Sequence, residues 1–172
     1  MKEGPYPKLK QQCSDHIATL NALREDTTKE LLYSYPVQMR YRDEDQNKHL
    51  NTHTYSRYCY EGLMMFDGRI RNNEAAIYWM TNLFWKEIRM QHYSHCFVNL
   101  WHCKVEGSRD RVYIGTIDID EARCKRSGDQ HDAITMDNRQ NMNQVHWTHH
   151  HGFMAKVVDI KRKAGKGKDS KL

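Results

Sequence analysis

Ionisable and amide side chains alternate over a short polar stretch in the first third of the chain. Residues 42–51 contain the pattern Asp43-x-Asp45-x-Asn47-x-His49. A carboxylate can attack an electrophilic carbon or take a proton from water, an imidazole can accept a proton, and an amide can polarise a carbonyl. The same residue types also cap helices and close turns. The chemistry of the stretch therefore depends on the elements that position it.

The residues on either side of the stretch indicate those elements. Upstream, Val37, Met39 and Tyr41 alternate with polar residues, which is the period of a strand with one buried face. Downstream, apolar side chains recur at three- and four-residue spacing, so they share one face of a helix that Asp67-Gly68 can end. The residues of this face are Tyr55, Tyr58, Cys59, Gly62, Met65 and Phe66. The polar stretch is therefore predicted to be a strand-to-helix loop.

A loop in this position lies beside the first turn of the helix. Asn51 or Thr52 is a natural N-cap, because its side chain can accept a hydrogen bond from a free backbone N–H group. The partial positive charge of a helix N-terminus favours a nearby carboxylate, and its N–H groups can receive a substrate oxygen. Helix capping and substrate chemistry thus both remain open for Asp45.

The motif resembles a known family. Its four residues, followed by Asn51, Tyr55, Tyr58-Cys59, Gly62 and Phe66, resemble the hot-dog-fold acyl thioesterases of the 4-hydroxybenzoyl-CoA thioesterase superfamily. The spacing of Asp45, Asn47 and His49 is similar to the plant acyl-ACP thioesterases, and Asp45-Gln46 with Asn51 and Tyr55 is similar to the plant methylketone-synthase and acyl-lipid thioesterases. The resemblance covers roughly residues 35–140. Lys48 stands where the superfamily often has Gly.

The resemblance implies an α+β hot-dog fold, in which an antiparallel sheet wraps around one central helix. Residues 1–34 are then an N-terminal extension with a helix over residues 14–32, residues 35–140 the hot-dog domain, and residues 141–172 a C-terminal extension. Apolar patterning predicts further strands over residues 83–90, 97–105, 111–119 and 131–137, with a hairpin connection over residues 106–110. Residues 145–160 suit a docking helix, although His149 to His151 and Gly152 make the pattern ambiguous.

The resemblance also implies which residues act. Asp45 takes the central catalytic role, Asn47 polarises the carbonyl or holds Asp45, and His49 accepts a proton or orients water. Each has a structural alternative: Asp45 as a helix cap, Asn47 as an ordinary loop residue and His49 as a hydrogen-bonding loop residue.

Weaker expectations concern residues around the motif. Asn51 and Tyr55 are candidates for binding substrate. Glu87 matches loosely a Glu that follows the central helix in the acyl-ACP branch, or else it is an outward-facing strand residue. Met64, Met65 and Phe66 would line an acyl tunnel or simply pack in the core.

A thioester suits this set of groups, because its thiol leaving group, with a pKa of about 8.5, departs without a strong acid. The sequence thus predicts an acyl-thioester hydrolase that releases a fatty or related carboxylic acid from acyl-CoA, and no cofactor. The alternative is a catalytically silent hot-dog module that binds an acyl chain or a protein. The chain also has 11 His and five Cys, but their spacing selects no metal site, since HExxH and paired CxxC are both missing.

The amino-acid composition indicates which partners the chain can bind. The 172 residues carry 27 Lys and Arg against 22 Asp and Glu, a net charge of +5, which attracts the phosphates of CoA. Candidate contacts are Lys104, Arg109, Arg111, Lys125 and Arg126. Only 38% of residues are apolar, so burial at a subunit interface would help, and we expect a homodimer or homotetramer. The basic residues 161–169 lack aromatic partners, so no nucleic-acid binding is expected, and no apolar run reaches the length of a membrane span.

The cysteines and the last three residues concern the compartment. An odd number of cysteines without a CxxC pair indicates reduced thiols inside a cell. Ser170, Lys171 and Leu172 match the carboxy-terminal peroxisomal address, which an import receptor reads. Peroxisomes are rich in CoA esters, which favours acyl-CoA over acyl-ACP. We therefore expect a peroxisomal protein, with the cytoplasm as the alternative location.

A fluorescent fusion tests the address. With the reporter at the N-terminus, the full chain is expected to give punctate fluorescence that coincides with a peroxisomal marker, and removal of Ser170 to Leu172 is expected to make it diffuse. Diffuse fluorescence of both proteins would rule out the peroxisomal location.

Overall fold

The computed structural model describes residues 5–126 and 145–160. These residues form one antiparallel sheet in the strand order β1-β3-β4-β5-β2. The strands are β1 (Tyr33–Gln38), β2 (Ala75–Phe84), β3 (His95–Glu106), β4 (Asp110–Asp120) and β5 (Trp147–Asp159). The helices are α1 (Tyr6–Glu25), α2 (Thr52–Phe66), α3 (Gly68–Arg71) and α4 (Glu121–Cys124), and a single 3-10 turn spans Tyr41–Asp43.

Helix α2 packs against one face of this sheet and forms the main core with it. Tyr55, Tyr58, Cys59 and Leu63 are buried in a cluster that includes residues from all five strands. Gly62 allows the helix to approach β3, because a Cβ atom at this position would lie 2.5 Å from Val98 Cγ1. The predicted α+β hot-dog architecture, a sheet around one central helix, is therefore confirmed.

Helix α1 covers the opposite face of the sheet. Its Leu20 is fully buried against Val112 of β4 and Met154 of β5. The neighbouring residues Tyr113 and Phe153 belong to the core around α2. Since successive strand residues point to opposite faces, β4 and β5 are covered on both sides. The sequence predicted this helix over residues 14–32, whereas it begins at Tyr6 and ends at Glu25.

The bounds of α2 agree with the sequence prediction. Asn51 is the N-cap, and its Oδ1 atom accepts a hydrogen bond of 3.1 Å from the His53 N–H group. Asp67 ends the helix. The predicted buried face was partly wrong, because Met65 and Phe66 are 42% and 37% exposed at the end of the helix. The preceding strand also ends at Gln38, and Tyr41 is 85% exposed in the 3-10 turn.

Two predicted strands and their hairpin are confirmed. Residues 97–105 and 111–119 lie within β3 and β4, and the connection contains Gly107 at a φ of 70°, a backbone conformation that favours glycine. The strand predicted over residues 83–90 was wrong: β2 covers Ala75–Phe84, and residues 85–90 turn back toward the polar loop. The strand predicted over residues 131–137 lies outside the described residues.

Residues 145–160 were wrongly assigned to a docking helix. They contain β5, which pairs with β4 on one side and with β2 on the other. The predicted boundary after residue 140 placed this segment in an extension, whereas its backbone hydrogen bonds put it inside the sheet.

The helices within residues 5–126 and 145–160 include none with the length and apolar character that a membrane span requires.

Candidate active site

The polar loop before α2 is closed by its own Asp45. The Asp45 N–H group donates to the His49 carbonyl oxygen at 2.8 Å. Asp45 Oδ1 accepts hydrogen bonds from the N–H groups of Asn47 and His49, at 2.8 and 3.0 Å. The other carboxylate oxygen, Oδ2, has no hydrogen-bond partner among the described residues. Asp45 therefore shapes the loop with one oxygen and keeps the second available.

Lys48 completes this turn in the left-handed region, with a φ of 65°. A non-glycine residue in this region costs roughly 1–2 kcal/mol. The hydrogen bond from the Lys48 N–H group to the Asp45 carbonyl oxygen, 3.2 Å long, and the ion pair of Lys48 with Glu44 at 3.1 Å offset part of the cost. The conformation explains why Gly is common at this position in the family that the sequence resembles.

Asp43 attaches the loop to the central helix. Its side chain is only 2% exposed, and its carboxylate is bound by the Arg57 guanidinium, the Tyr58 hydroxyl at 2.8 Å and the Arg40 N–H group at 3.0 Å. Burial alone would raise the pKa of this carboxyl, but the hydrogen bonds from Arg57 and Tyr58 hold it below its ordinary value. The Asp43 carbonyl oxygen also accepts from the Asn51 N–H group at 2.7 Å.

This anchoring role was missed in the sequence. One signal pointed to it: Tyr58 lies on the predicted buried face, and a buried tyrosine hydroxyl needs a polar partner. The sequence separation of 14 and 15 residues between Asp43 and its two side-chain partners hid the identity of that partner.

His49 and Glu87 meet beside Asp45. His49 Nε2 lies 3.3 Å from Glu87 Oε2, and the two side chains are 18% and 69% exposed. Glu87 lies in the segment after β2, which docks on the loop through a hydrogen bond of 2.9 Å from the Leu50 N–H group to the Ile88 carbonyl oxygen. The structure therefore brings a second carboxylate to the loop, as an exposed residue outside any strand.

Tyr55 supports the same segment from the first turn of α2. Its hydroxyl accepts a hydrogen bond of 3.1 Å from the Ile88 N–H group, and burial raises the pKa of its phenol well above the ordinary value. The ring stacks on His151 with 5.0 Å between centroids and meets the edge of Phe84 at 4.9 Å. Tyr55 thus positions the Glu87 segment.

His151 and Phe84 are further neighbours that sequence reasoning did not single out. His151 is fully buried, its Nε2 atom lies 2.9 Å from Asn82 Oδ1, and burial lowers the pKa of its imidazole to about 3. This histidine is therefore neutral. The repeated histidines at positions 149 to 151 gave no signal that separated it from its neighbours.

The predicted site residues divide into two groups. Asp45, His49 and Glu87 come together beside the first turn of α2. Asn47 contributes its backbone N–H group to Asp45, while its exposed side chain has no hydrogen-bond partner in the described part of the chain. Asn51 caps the helix. The arrangement offers a carboxylate oxygen, an imidazole paired with a carboxylate, and the partial positive charge at the N-terminus of a 15-residue helix.

A metal centre is not formed by the described residues. Among residues 5–126 and 145–160, no group of three or more His, Cys, Asp or Glu is arranged to hold a metal ion. The histidines of β5 bond to other groups instead: His149 Nδ1 lies 2.6 Å from Asp118 Oδ1, and His150 Nδ1 lies 3.1 Å from the Lys86 carbonyl oxygen in the segment after β2.

Comparison with known proteins gave matches to solved structures alone. The fold is similar to a thioesterase from Thermus thermophilus complexed with coenzyme A and Zn, with a TM-score of 0.51 and 11% identity over 74% of this chain and 78% of that chain. It is similar to a hypothetical protein from Staphylococcus aureus in complex with CoA, with a TM-score of 0.53 and 11% identity over 77% and 71% of the two chains. The chain has the hot-dog fold.

A thioesterase-superfamily protein from Jannaschia sp. CCS1 gives a TM-score of 0.50 and 14% identity, over 84% of this chain and 78% of that chain. No family model and no curated protein matches the sequence. Likeness at these identities shows the fold alone.

Replacing Asp43 tests whether its charge anchors the loop. Because its folded pKa is depressed, the carboxylate contributes stability above its unfolded pKa of about 3.9, and this contribution is lost as pH falls through the folded pKa. Asp43→Asn is therefore expected to lower the free energy of unfolding by about 1–3 kcal/mol at pH 7, and by progressively less below about pH 4.

Urea unfolding of both proteins from pH 7 to pH 3 measures this difference. Glu61→Gln is the matched control, since Glu61 lies 4.0 Å from the same guanidinium and is 38% exposed. It is expected to change stability by at most about 0.5 kcal/mol. A difference between wild type and Asp43→Asn that is independent of pH would show that folding does not change the pKa of Asp43, so that its charge does not anchor the loop.

Proposed function

We propose that the protein hydrolyses acyl thioesters, with acyl-CoA as the substrate and a fatty or related carboxylic acid and CoA as the products. The observation that carries the proposal is the Asp45 Oδ2 atom, which has no hydrogen-bond partner among the described residues, in the loop that leads into the central helix of a hot-dog fold. The CoA-bound neighbours from Thermus thermophilus and Staphylococcus aureus support CoA as the carrier.

The residues around Asp45 supply the chemistry that thioester hydrolysis requires. Asp45 Oδ2 either attacks the carbonyl carbon, forming an anhydride that water then cleaves, or takes a proton from the attacking water. In both routes the carbonyl oxygen gains negative charge, which the partial positive charge at the N-terminus of α2 can stabilise. The CoA sulfur leaves as a thiolate. His49, held by Glu87, orients the water or accepts its proton.

The two routes differ in where an oxygen atom ends. A single turnover in ¹⁸O-labelled water places the label in the acid product if Asp45 acts as a base. Attack by Asp45, with water then adding to the Asp45 carbon of the anhydride, instead moves an unlabelled carboxylate oxygen into the product and leaves ¹⁸O on Asp45, so label on Asp45 identifies this route.

The proposal extends to the assembly of subunits and to the location of the protein in the cell. Strand β2 is an edge of the described sheet, and it presents Tyr78 and Phe84, which are 73% and 45% exposed. Pairing of such edges between two copies would bury apolar surface close to Tyr55, so the proposed assembly is a homodimer or homotetramer, which the mass of the protein in solution tests. The proposed location is the peroxisome, read from Ser170, Lys171 and Leu172.

Removal of the Asp45 charge tests the catalytic assignment. Asp45→Asn is expected to lower kcat for acyl-CoA by about 100-fold or more, because the amide can neither attack nor accept a proton. The measurement is release of free CoA from substrates of different chain length. Glu44→Gln is the matched control: Glu44 is the adjacent carboxylate, pairs with Lys48, and is expected to change kcat less than about threefold.

Two results would contradict the proposal. A folded Asp45→Asn protein as active as wild type would remove Asp45 from the mechanism. A folded wild-type protein that releases CoA from none of the substrates would favour the alternative, a silent module that binds an acyl chain or a protein.

A further inference from the structure

A cavity of about 250 Å³ lies on the other side of the Asp43 anchor, between β1 and the second turn of α2. Strand β1 is an edge of the described sheet, so no described strand pairs with its outer side. The cavity is lined by Tyr35, Pro36, Val37, Gln38, Arg40, Arg42, Asp43, Arg57, Tyr58 and Glu61.

Only some of the charged residues that line this cavity form ion pairs with other described residues. The lining contains three arginines and two acidic residues, which gives a net charge of 3 − 2 = +1. Asp43 is bound by Arg57, Tyr58 and a backbone N–H group, so its charge is already compensated. Glu61 lies 4.0 Å from the same Arg57. The ion pairs of the lining therefore all converge on one of its three arginines.

Arg40 and Arg42 are the arginines of the lining that form no ion pair with the described residues. Both residues are exposed, and neither guanidinium forms an ion pair or donates a hydrogen bond to any residue in the ranges 5–126 and 145–160. Two unpaired arginines at one cavity suit a phosphate chemically, since a guanidinium group can donate two parallel hydrogen bonds to phosphate oxygens.

Of the five basic residues that the sequence offered for this purpose, three have partners elsewhere in the described structure. Arg109 pairs with Asp159 at 3.1 Å, and Lys104 lies 3.8 Å from Glu106. The Arg126 side chain donates to the Met90 carbonyl oxygen at 2.7 Å. The contrast with Arg40 and Arg42 selects the cavity beside β1.

We infer that this cavity binds a phosphate group through Arg40 and Arg42. Asp43 lines the cavity and lies two residues before Asp45. A phosphate held there would therefore lie beside the loop that carries Asp45, the proposed catalytic carboxylate. The phosphate belongs either to the thioester carrier or to a separate phosphorylated ligand. The first source rests on the proposed function, whereas the phosphate site itself does not.

The test compares Arg40→Gln/Arg42→Gln with Lys8→Gln/Lys10→Gln, a control that removes the same two charges from the exposed side of α1. Isothermal titration calorimetry with inorganic pyrophosphate needs no turnover. Wild type and control are expected to bind it equally, and the arginine variant at least about tenfold more weakly. Unchanged binding by the arginine variant, or no binding by wild type, would overturn the inference.

Titrations with CoA and pantetheine then identify the source of the phosphate. If the carrier supplies it, wild type binds CoA more tightly than pantetheine, and this preference disappears in the arginine variant. If CoA affinity is unchanged in the arginine variant while pyrophosphate affinity falls, the cavity holds a separate phosphorylated ligand. Both results support a phosphate site, whether or not the protein hydrolyses thioesters.

Discussion

The buried carboxylate of Asp43 is the interaction on which the functional region depends. A polar loop must pass from the edge strand β1 to the start of a helix that lies in the core, and its backbone groups need partners on the way. Asp43 supplies two of them, because its side chain accepts from the Arg40 N–H group and its carbonyl oxygen from the Asn51 N–H group. Its carboxylate also ties the loop to α2 through Arg57 and Tyr58. Asp45 then closes the turn with Oδ1, while its Oδ2 atom has no hydrogen-bond partner in the described part of the chain. Asp43 also lines the cavity beside β1 that contains Arg40 and Arg42. It therefore supports both the proposed catalytic loop and the proposed phosphate site.

The local signals in the sequence were sufficient where a single residue determines the backbone. Asn51 and Asp67 bound α2 because each side chain accepts a hydrogen bond from a backbone N–H group two residues later. Gly107 marks the hairpin because the turn requires a positive φ. The motif from Asp43 to His49 was correctly placed between a strand and a helix, because alternation on one side and helical spacing on the other identify the two elements independently.

Elements whose environment depends on distant residues were misjudged. Strand β5 is covered by α2 on one face and by α1 on the other, so its residues lose the alternation that identifies a half-buried strand. Glu87 looked like a strand residue, but the hydrogen bonds of its segment to Tyr55 and Leu50 make it a neighbour of His49. Asp43 was not recognised as the partner of the buried Tyr58 hydroxyl, because both side chains that bind it come from a later element. Tertiary contacts, rather than propensity, determined each of these outcomes.

The central claim is that Asp45 faces the reacting carbon of a bound thioester. A crystal structure with a non-hydrolysable acyl-CoA thioether, in which a methylene group replaces the carbonyl, tests it directly. The predicted result places that carbon about 3–3.5 Å from Asp45 Oδ2, beside the first turn of α2. A well-ordered analogue whose carbon lies far from Asp45, with the loop unchanged, would contradict the claim.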